Sequence, residues 1–557
     1  MVDWRRVLPY AWSLALALLM LGPALGPGYV LSYDMVWVPD LALRHDSLGF
    51  GSGLPRAVPS DAVVAVLDEL LPGMVLQKLM LLGVLTLGGV GAMRLTDRSS
   101  LPAQLVAVSL YQWNPFVAER LVIGHWPLLV AYATLPWVVL AAQRWRATGE
   151  LPARLWWLVP VGSLSASAGV ATALVLVAFA ASRSARRLCL TGVLILAANA
   201  PWVVSGLLHA GSAVTDPLGA DAFALRGEGS MPAPVAALSL GGIWNGEVVP
   251  DSRTGWAGWA SVVLLIALVV IGFRRWSKEA GRRDVLAFAV CWLTGFAAAV
   301  VTWLVPDQVA WVVAHVPGAG ILRDGSRMLL LCVPLLAAAG GYGAARIVGL
   351  LARGARPAAA VALLLAPIAV MPDAAFGVSG QLTPADYPAD YQRARDAVAR
   401  APEAGDVLLL PLSSYRQPRW NHDHKVLDPA GRFLERDFVA GDDLYVSGVR
   451  IAGEDRRVRQ VGTVLAAPTP EQRSEGLADL GIAFVVTEQD AGEAPSVAGP
   501  ALFTGSYLLV QTLDRPRVRS TPPTWRVAMG CAWSLFAGSL IGGTLSAIRF
   551  ERRRRRR

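Results

Sequence analysis

The chain has 557 residues, of which 54% are hydrophobic and 16% charged, and its mean hydropathy is +0.47. Soluble domains usually carry about 25% charged residues, so this composition excludes a wholly soluble protein and predicts that most of the chain lies in lipid. The formal net charge is +9, but the basic residues cluster in short runs between apolar stretches, which is typical of a membrane protein and argues against a nucleic-acid partner.

Apolar segments long enough to cross a bilayer recur along the chain, separated by polar loops. The first follows Arg5 and Arg6, and we interpret it as an uncleaved span rather than a signal peptide. The predicted spans are residues 8–27, 74–94, 100–116, 124–143, 188–208, 256–273, 285–304, 327–349, 358–371 and 526–548. Serine and glycine interrupt the stretch 155–182, which predicts a pair of short or re-entrant helices. The predicted fold class is mainly α, a polytopic helical membrane protein with about 11–13 membrane helices.

The basic clusters of this layout all fall on one side of the membrane. The positive-inside rule therefore predicts that both termini are cytoplasmic and that loops 28–73, 209–255 and 305–326 are exoplasmic. Residues 552–557 are six consecutive Arg, which we interpret as a topology signal and an anchor for anionic lipids. Abundant Ala, Val, Leu and Arg favour a high-GC bacterial source such as an actinobacterium, and hence a bacterial plasma membrane.

Segment 373–525 has the residue alternation and turns of a small exoplasmic α/β domain. It separates a transmembrane core, residues 1–372, from a last transmembrane helix with its Arg-rich tail, residues 526–557. Helices are predicted at 390–400 and 471–480, and buried strands at 407–411 and 481–487. The order helix, strand, helix, strand predicts a compact unit packed on the membrane core.

Asp34 stands shortly after the first predicted span, in the sequence SYDMVWVPD that ends at Asp40. An acidic residue ringed by aromatics at a membrane surface is costly to place there without a partner. We interpret Asp34 as a candidate catalytic carboxylate, and an ordinary solvated loop residue is the alternative.

Four patches of the sequence resemble a known superfamily. The Tyr33-Asp34 loop is similar to the first exoplasmic loop of GT-C glycosyltransferases. Residues 114–126 (NPFVAERLVIGHW), 322–327 (LRDGSR) and 480–486 (LGIAFVV) resemble GT-C-type membrane proteins that include YfhO-like proteins. More loosely, the membrane core is similar to that of actinobacterial arabinofuranosyltransferases. The first loop departs from many GT-C enzymes in lacking an Asp-Asp or Glu-x-Asp pair.

The resemblance implies an integral-membrane enzyme that moves a sugar from a polyprenyl-phosphate donor to an envelope glycan, lipid or protein on the outer face. Such a reaction needs a general base for the acceptor hydroxyl and positive charge for the departing phosphate. The candidate catalytic residues are Asp34 and Asp40. Candidates for donor phosphate binding are Arg120, His125, Arg323 and Arg327, with Glu119 and Asp324 beside them.

Each of these candidates has a structural alternative. Glu119 and Arg120 could form a helix-end ion pair, and His125 could be an interfacial residue beside Trp126. Asp324 could cap the following helix while Arg323 and Arg327 anchor to lipid headgroups.

No cofactor is identified from the sequence. A divalent cation shared by Asp34 and Asp40 is the one alternative considered, and the first loop lacks the paired acidic motif of the metal-binding version of such a site. The sequence NHDH at 421–424 has metal-capable side chains but no third ligand in view. Cys189, Cys291, Cys332 and Cys531 have no CxxC or metal spacing and predict neither disulfides nor zinc.

Two other function classes remain open. One is a non-catalytic GT-C-like protein that binds or scaffolds envelope glycolipids, which the missing second carboxylate favours. The other is a transporter of lipid-linked sugars, which would favour charged residues within the spans, and the predicted spans carry almost none. The expected partners are a polyprenyl-phosphate-linked sugar, an envelope glycan or glycolipid acceptor, and anionic lipids at the Arg-rich tail.

Overall fold

Helices dominate the chain in the computed structural model, which describes residues 4–212, 216–316, 318–446 and 448–555. The main helices before residue 373 are α1 (Trp4–Leu21), α2 (Gly73–Met93), α3 (Leu101–Gln112), α4 (Pro115–Val122), α5 (Trp126–Thr148), α6 (Leu155–Val161), α7 (Ala166–Ala180), α8 (Ala185–His209), α9 (Trp256–Leu304), α10 (Pro306–His315), α11 (Val333–Leu350) and α12 (Arg356–Val370). Shorter helices lie in the loops at His45–Leu48, Ser60–Leu67, Leu218–Ala222 and Ala233–Leu238.

Within the described residues, seven helices are long and apolar enough to cross a membrane, and the bent pair Arg356–Val370 and Pro372–Ser379 makes an eighth if it is one span. The seven are Trp4–Leu25, Gly73–Met93, Trp126–Thr148, Ala185–His209, Trp256–Leu304, Val333–Leu350 and Pro523–Leu545. The predicted class, a polytopic helical membrane protein, is confirmed. The number of full-length spans is smaller than expected, because α3, α6 and α7 have only 12, 7 and 15 residues and a span needs about 20.

Two predicted spans, 256–273 and 285–304, are joined in α9, which has 49 residues. A continuous helix of that length would extend roughly 75 Å, more than twice the hydrocarbon thickness of a bilayer. The helical geometry breaks at Gly281, where φ is 78° and ψ is 156°. The break divides α9 into two limbs, each about long enough to cross a membrane once.

Helix α9 packs along α11, and small residues at the crossing allow the close approach. A Cβ atom added at Gly272 would lie 2.0 Å from the carbonyl oxygen of Ala339, and one at Gly343 would lie 2.0 Å from that of Leu268. Larger residues at either glycine would therefore force the two helices apart.

The segment after α12 contains the α/β unit. Its main helices are α13 (Ala389–Arg400), α14 (Arg456–Leu465) and α15 (Pro470–Asp479), and the chain then enters α16 (Pro523–Arg555). Within the described residues, five strands form its principal sheet: β1 (Asp406–Leu410), β2 (Phe438–Val439), β3 (Ile482–Glu488), β4 (Ala501–Thr504) and β5 (Leu508–Thr512).

The strand order of this sheet is β4-β5-β3-β1-β2. Strand β1 is parallel to both of its neighbours, whereas β5 is antiparallel to β3 and β4. The two central strands and the helices α13 and α15 lie within a residue or two of the predicted elements. Strands β2, β4 and β5 were not predicted, since they are short or partly exposed and lack a long apolar run.

The described part of the chain also forms three small two-stranded sheets, and one of them joins the α/β unit to the membrane core. Tyr29–Val30 of the first loop pairs antiparallel with Pro384–Ala385. The other two pair Tyr415–Arg416 with Val426–Leu427, and Leu444–Val446 with Val449–Ile451. The Arg run 552–557 lies outside the residues whose side chains are described.

Candidate active site

The backbone around Asp34 is fixed between the membrane core and the α/β unit. On the core side, the Asp34 amide donates to the carbonyl of Ile123 at 3.1 Å, and the Ser32 hydroxyl donates to that of Val122 at 2.6 Å. On the other side, the Tyr33 amide donates to the carbonyl of Lys425 at 2.7 Å. Tyr33 adopts a left-handed conformation with φ of 46°, which turns the chain sharply just before Asp34.

Gly124 forms the other half of this turn. Its φ is +81°, and a Cβ atom added there would lie 2.1 Å from the Met35 amide nitrogen and 2.7 Å from the Ser32 carbonyl oxygen. Only glycine satisfies both the conformation and the space. The short connection from α4 to α5 therefore presses directly on the Asp34 loop.

Among the described residues, the side chains of Tyr415 and His125 contact the Asp34 carboxylate. The Tyr415 hydroxyl donates to Oδ1 at 2.7 Å, and the Nε2 atom of His125 lies 3.4 Å from Oδ2. The Asp34 side chain remains 40% exposed. It is thus oriented from two sides and still accessible to a substrate.

The partners of His125 decide which ring nitrogen carries the proton. An Arg120 Nη1 atom lies 3.3 Å from Nδ1 of His125. A guanidinium can only donate, so Nδ1 must be the acceptor and the proton of a neutral ring lies on Nε2. That Nε2–H group faces Asp34.

Arg120 connects the His125–Asp34 pair to the segment that contains Asp324 and Ser326. Its Nη2 donates to the Ser326 hydroxyl at 2.6 Å, and its Nη1 lies 3.9 Å from Asp324. Asp324 also accepts from Ser326 at 2.6 Å and from the Nε atom of Arg327 at 2.8 Å. Arg120 and Asp324 are almost fully buried. Five predicted candidates, Asp34, Arg120, His125, Asp324 and Arg327, therefore belong to one connected cluster.

Electrostatics keep Asp34 and Asp324 ionised and His125 neutral. Burial alone would raise the pKa of Asp34, but the His125 ring, the Tyr415 hydroxyl and the charge of Arg327 hold this pKa below its ordinary value. Burial together with the charge of Arg327 lowers the pKa of His125 to about 4. Burial opposes the ionised form of Asp324, yet Arg327 and Arg120 lower its pKa as well. At neutral pH, Asp34 is therefore a carboxylate able to accept a proton.

A cavity of about 760 Å³ opens beside this cluster. Its wall includes the charged residues Arg56, Arg323 and Arg327, and we call this cavity the basic cavity. Its wall also includes apolar and aromatic side chains of α7, α8 and α10, namely Val170, Trp202 and Val313, and Val316 just after α10. Such a combination can hold a ligand with an anionic head and an apolar chain.

Arg323 and Arg327 make different contacts in the basic cavity. Arg323 pairs with Glu454 and lies 4.6 Å from the centre of the Phe223 ring. Arg327 uses Nε for Asp324, and its terminal nitrogens make no hydrogen bond to any described residue. Its side chain is 35% exposed. Arg327 therefore has donors available for a ligand.

Asp324 precedes a short 3₁₀ helix (Gly325–Leu331) without a side-chain capping bond.

Two other candidates lie apart from the cluster. Asp40 is 58% exposed and forms an ion pair with Arg395 at 2.5 Å. Among the described contacts, Asp40 and Asp34 have no partner in common. Glu119 does not pair with Arg120. Its carboxyl is buried, and burial together with the neighbouring Glu228 raises its pKa well above the ordinary value.

The NHDH segment makes contacts to protein atoms. His422 lies 3.0 Å from the carbonyl oxygen of Pro384, and Asn421 donates to that of Leu31 at 3.0 Å. The described residues contain no group of three or more His, Cys, Asp or Glu side chains that could hold a metal ion.

Tyr415 is the contact that sequence reasoning missed. It is separated from Asp34 by 381 positions, and no local pattern marks it. The available signal was its place, shortly beyond the carboxyl end of β1, because such ends of parallel strands frequently carry functional residues.

No family model matches this chain, and no curated protein matches its sequence. Its structure is similar to that of the mycobacterial arabinofuranosyltransferase AftD, with a TM-score of 0.53 and 16% identity across 94% of this chain and 40% of that one. A mutant of that enzyme aligns with a TM-score of 0.52 and 17% identity, across 92% of this chain and 41% of the mutant chain. The oligosaccharyltransferase AglB from Archaeoglobus fulgidus aligns with a TM-score of 0.36 and 12% identity, across 87% of this chain and 69% of AglB.

The chain therefore has a GT-C-like membrane fold, as the sequence resemblance predicted. It spans about two-fifths of the length of AftD.

Proposed function

We propose that this protein is a membrane glycosyltransferase that moves a sugar from a polyprenyl-phosphate donor to an envelope acceptor on the exoplasmic face. The observation that carries the proposal is the position of Asp34. It is a partly exposed carboxylate held by His125 and Tyr415 and influenced by the charge of Arg327, which lines the basic cavity.

The donor lies in the basic cavity in this proposal. Its phosphate meets the terminal nitrogens of Arg327, which have no hydrogen bond to another described residue, and its isoprenoid chain follows the apolar wall. A guanidinium pairs with phosphate through two parallel hydrogen bonds and remains charged throughout. Positive charge at this point stabilises the phosphate as it leaves the sugar.

Asp34 acts as the general base. It accepts the proton of the acceptor hydroxyl while the hydroxyl oxygen attacks the anomeric carbon, and the bond from that carbon to the phosphate oxygen breaks. Tyr415 donates to one carboxylate oxygen and the Nε2–H group of His125 faces the other, and these contacts keep the carboxylate oriented before the reaction. Arg120 has a positioning role, because it fixes the tautomer of His125.

Transfer by the purified protein tests this proposal. The protein is reconstituted in liposomes and supplied separately with polyprenyl-phosphate arabinose and polyprenyl-phosphate mannose, each labelled in the sugar, together with an envelope glycan extract. The expected result is label in the glycan fraction with at least one donor. Saturable binding of both donors without any transfer would contradict the proposal that the protein is an enzyme. It would favour a glycolipid-binding protein.

A further inference from the structure

The first turn of α7 opens into the basic cavity. Ser165, Ala166, Ser167 and Val170 all belong to the cavity wall. Helix α7 has 15 residues and therefore extends roughly 22 Å, which is less than the hydrocarbon thickness of about 30 Å. The predicted topology places Arg183, just after this helix, at the cytoplasmic surface. The start of α7 then lies below the opposite surface, within the depth of the membrane.

Close packing fixes this helix start in place. The Thr172 hydroxyl of α7 donates to the Gly162 carbonyl of the preceding turn at 2.6 Å, and the Ser163 hydroxyl donates to the Val159 carbonyl at 2.7 Å. A Cβ atom added at Gly162 would lie 2.7 Å from the hydroxyl oxygen of Thr172 and 2.8 Å from that of Thr134 in α5. The direction of the helix start is therefore set by the protein alone.

The start of an α-helix carries backbone amides that have no intrahelical acceptor. In α7 the Ser165 hydroxyl accepts from the Ala168 amide at 3.4 Å, and the Ser165 carbonyl accepts from the Gly169 amide at 2.8 Å. The amides of Ala166 and Ser167 donate to no described residue. Such amides, together with the positive end of the helix dipole, favour an anion.

The Ser167 side chain is a second and independent indication of a ligand. This residue is only 4% exposed, yet its hydroxyl makes no hydrogen bond to any described residue. Its oxygen is not one of the unpartnered atoms that are sealed inside the described protein, so it is accessible from the basic cavity. A nearly buried hydroxyl that faces a cavity without a partner is a donor available to a ligand.

The charges of the basic cavity also favour an anion. Its described wall contains three Arg and two acidic residues, and both acidic residues, Asp324 and Glu454, are paired with arginines. Helix α7 packs against the 3₁₀ helix Gly325–Leu331, which carries Arg327. The start of α7 and Arg327 therefore belong to one cavity, and both offer donors to an anion.

Apolar side chains lie directly beside the helix start. Val170 lines the cavity, and a Cβ atom added at Gly169 would lie 3.0 Å from the indole nitrogen of Trp202, another wall residue. A 2.8 Å hydrogen bond to Asn199 holds this indole in place. An anion with an apolar chain fits this wall better than a free inorganic anion, because the chain covers apolar surface that would otherwise face water.

We propose that the first turn of α7 binds a phosphate group of an isoprenoid lipid through the amides of Ala166 and Ser167 and the Ser167 hydroxyl. The inference rests on the proposed function only in identifying this lipid with the sugar donor. The phosphate oxygens accept from the two amides and the hydroxyl, while Arg327 supplies a full positive charge from another part of the same cavity.

Displacement of a labelled polyprenyl phosphate from the full-length protein in nanodiscs tests the proposal. The competitors are farnesyl phosphate, farnesol and inorganic phosphate, each added alone. Farnesyl phosphate should displace the label, and each of the other two should be weaker by about tenfold or more. S167A should weaken farnesyl phosphate by about tenfold, because a hydrogen bond to a charged group is lost. The matched control S184A removes an exposed hydroxyl at the start of α8 and should bind as the wild type does.

S167D is a second variant with a different expected result. A carboxylate in the first turn of a helix is favourable, so S167D should remain folded. Its charge occupies the position assigned to the phosphate and should abolish binding. The melting temperature of each variant separates lost binding from lost folding.

The alternative outcomes each contradict a definite part of the proposal. Equal affinity for farnesyl phosphate and farnesol would contradict phosphate recognition, and equal displacement by inorganic phosphate would show a free-anion site in place of a lipid site. Wild-type affinity in S167A or S167D, or an equal loss in S184A, would overturn the assignment to α7. Binding that depends on Ser167 in a protein that transfers no sugar would remove the proposed function alone. Transfer and binding that are unchanged in S167A would remove this inference alone.

Discussion

Tyr415 of the α/β unit donates a 2.7 Å hydrogen bond to Asp34 of the first loop, and these two residues are 381 positions apart in the chain. The candidate base is therefore completed by a residue from outside the membrane core. Tyr415 is also next to Arg416, which pairs with Asp428 at 2.6 Å and with Glu488 at 2.7 Å in the interior of the α/β unit. Packing of that unit thus determines the orientation of the carboxylate.

His125 should make stability depend on pH in a defined window. Its pKa is about 4 in the folded protein and about 6.5 in an unfolded chain. The folded state therefore binds fewer protons between these values, so this contribution is complete above pH 6.5 and is lost as pH falls towards 4. The wild type should lose on the order of 2 kcal/mol between pH 7 and pH 5 relative to H125Q, which cannot titrate.

Chemical unfolding of both proteins at the two pH values measures this difference. The comparison with H125Q removes the contribution of titrating groups that do not interact with His125. A constant stability difference between the two proteins from pH 7 to pH 5 would show that His125 is not held in its neutral form.

Gly124 should be intolerant of even the smallest side chain. In G124A the methyl group would lie 2.1 Å from the Met35 amide nitrogen, so the Asp34 loop must move. The positive φ at this position also strains any residue with a Cβ atom, which destabilises the folded state by about 1 kcal/mol or more. We expect transfer activity to fall sharply while the protein still inserts. The matched control G149A also has positive φ but has open space around its Cβ. Equal activity in G124A and the wild type would contradict the close contact.

Arg327 should be sensitive to replacement by lysine. R327K retains the charge but loses the planar fork, so donor affinity should fall by about tenfold if the residue binds the phosphate. R323K tests the second candidate in the basic cavity. The matched control R226K changes an exposed Arg that pairs with Asp221. Donor binding measured by competition with a labelled polyprenyl phosphate should separate them, and unchanged affinity in both R323K and R327K would favour a headgroup anchor.

The α/β unit should be exoplasmic. Tyr445 lies on it and is 74% exposed, so Y445C in a chain lacking the four native cysteines offers an accessible thiol. A membrane-impermeant maleimide should label it in intact cells. Labelling that requires cell lysis would place the unit, and with it Asp34, in the cytoplasm.

Much of the cluster could be predicted because its members lie in short polar patterns at the ends of apolar segments. The predicted topology puts four residues at the same membrane surface, namely Asp34, Arg120, His125 and Arg327. Loops on one side of a membrane lie close together at that surface. Their connection through Arg120 could not be predicted, since it depends on the geometry of the short helix α4. Asn114 begins that helix by accepting from the Val117 amide at 3.1 Å.

Other features depend on tertiary structure that no local pattern encodes. Asp40 was the second catalytic candidate because it follows Asp34 by six positions, yet its partner Arg395 is 355 positions away. Glu119 is adjacent to Arg120 but faces Glu228 instead, because neighbouring positions on a helix point in different directions. The count of spans was overestimated because hydropathy does not distinguish a full span from a short buried helix such as α3.

The most direct test compares D34N with D40N in the transfer assay. D34N retains the shape of the side chain but removes the carboxylate that accepts the proton, so its rate should fall by about 10²–10⁴-fold. D40N removes the charge of an exposed carboxylate that pairs with Arg395, and its rate should remain close to that of the wild type. Transfer by D34N at the wild-type rate would contradict the assignment of Asp34 as the base.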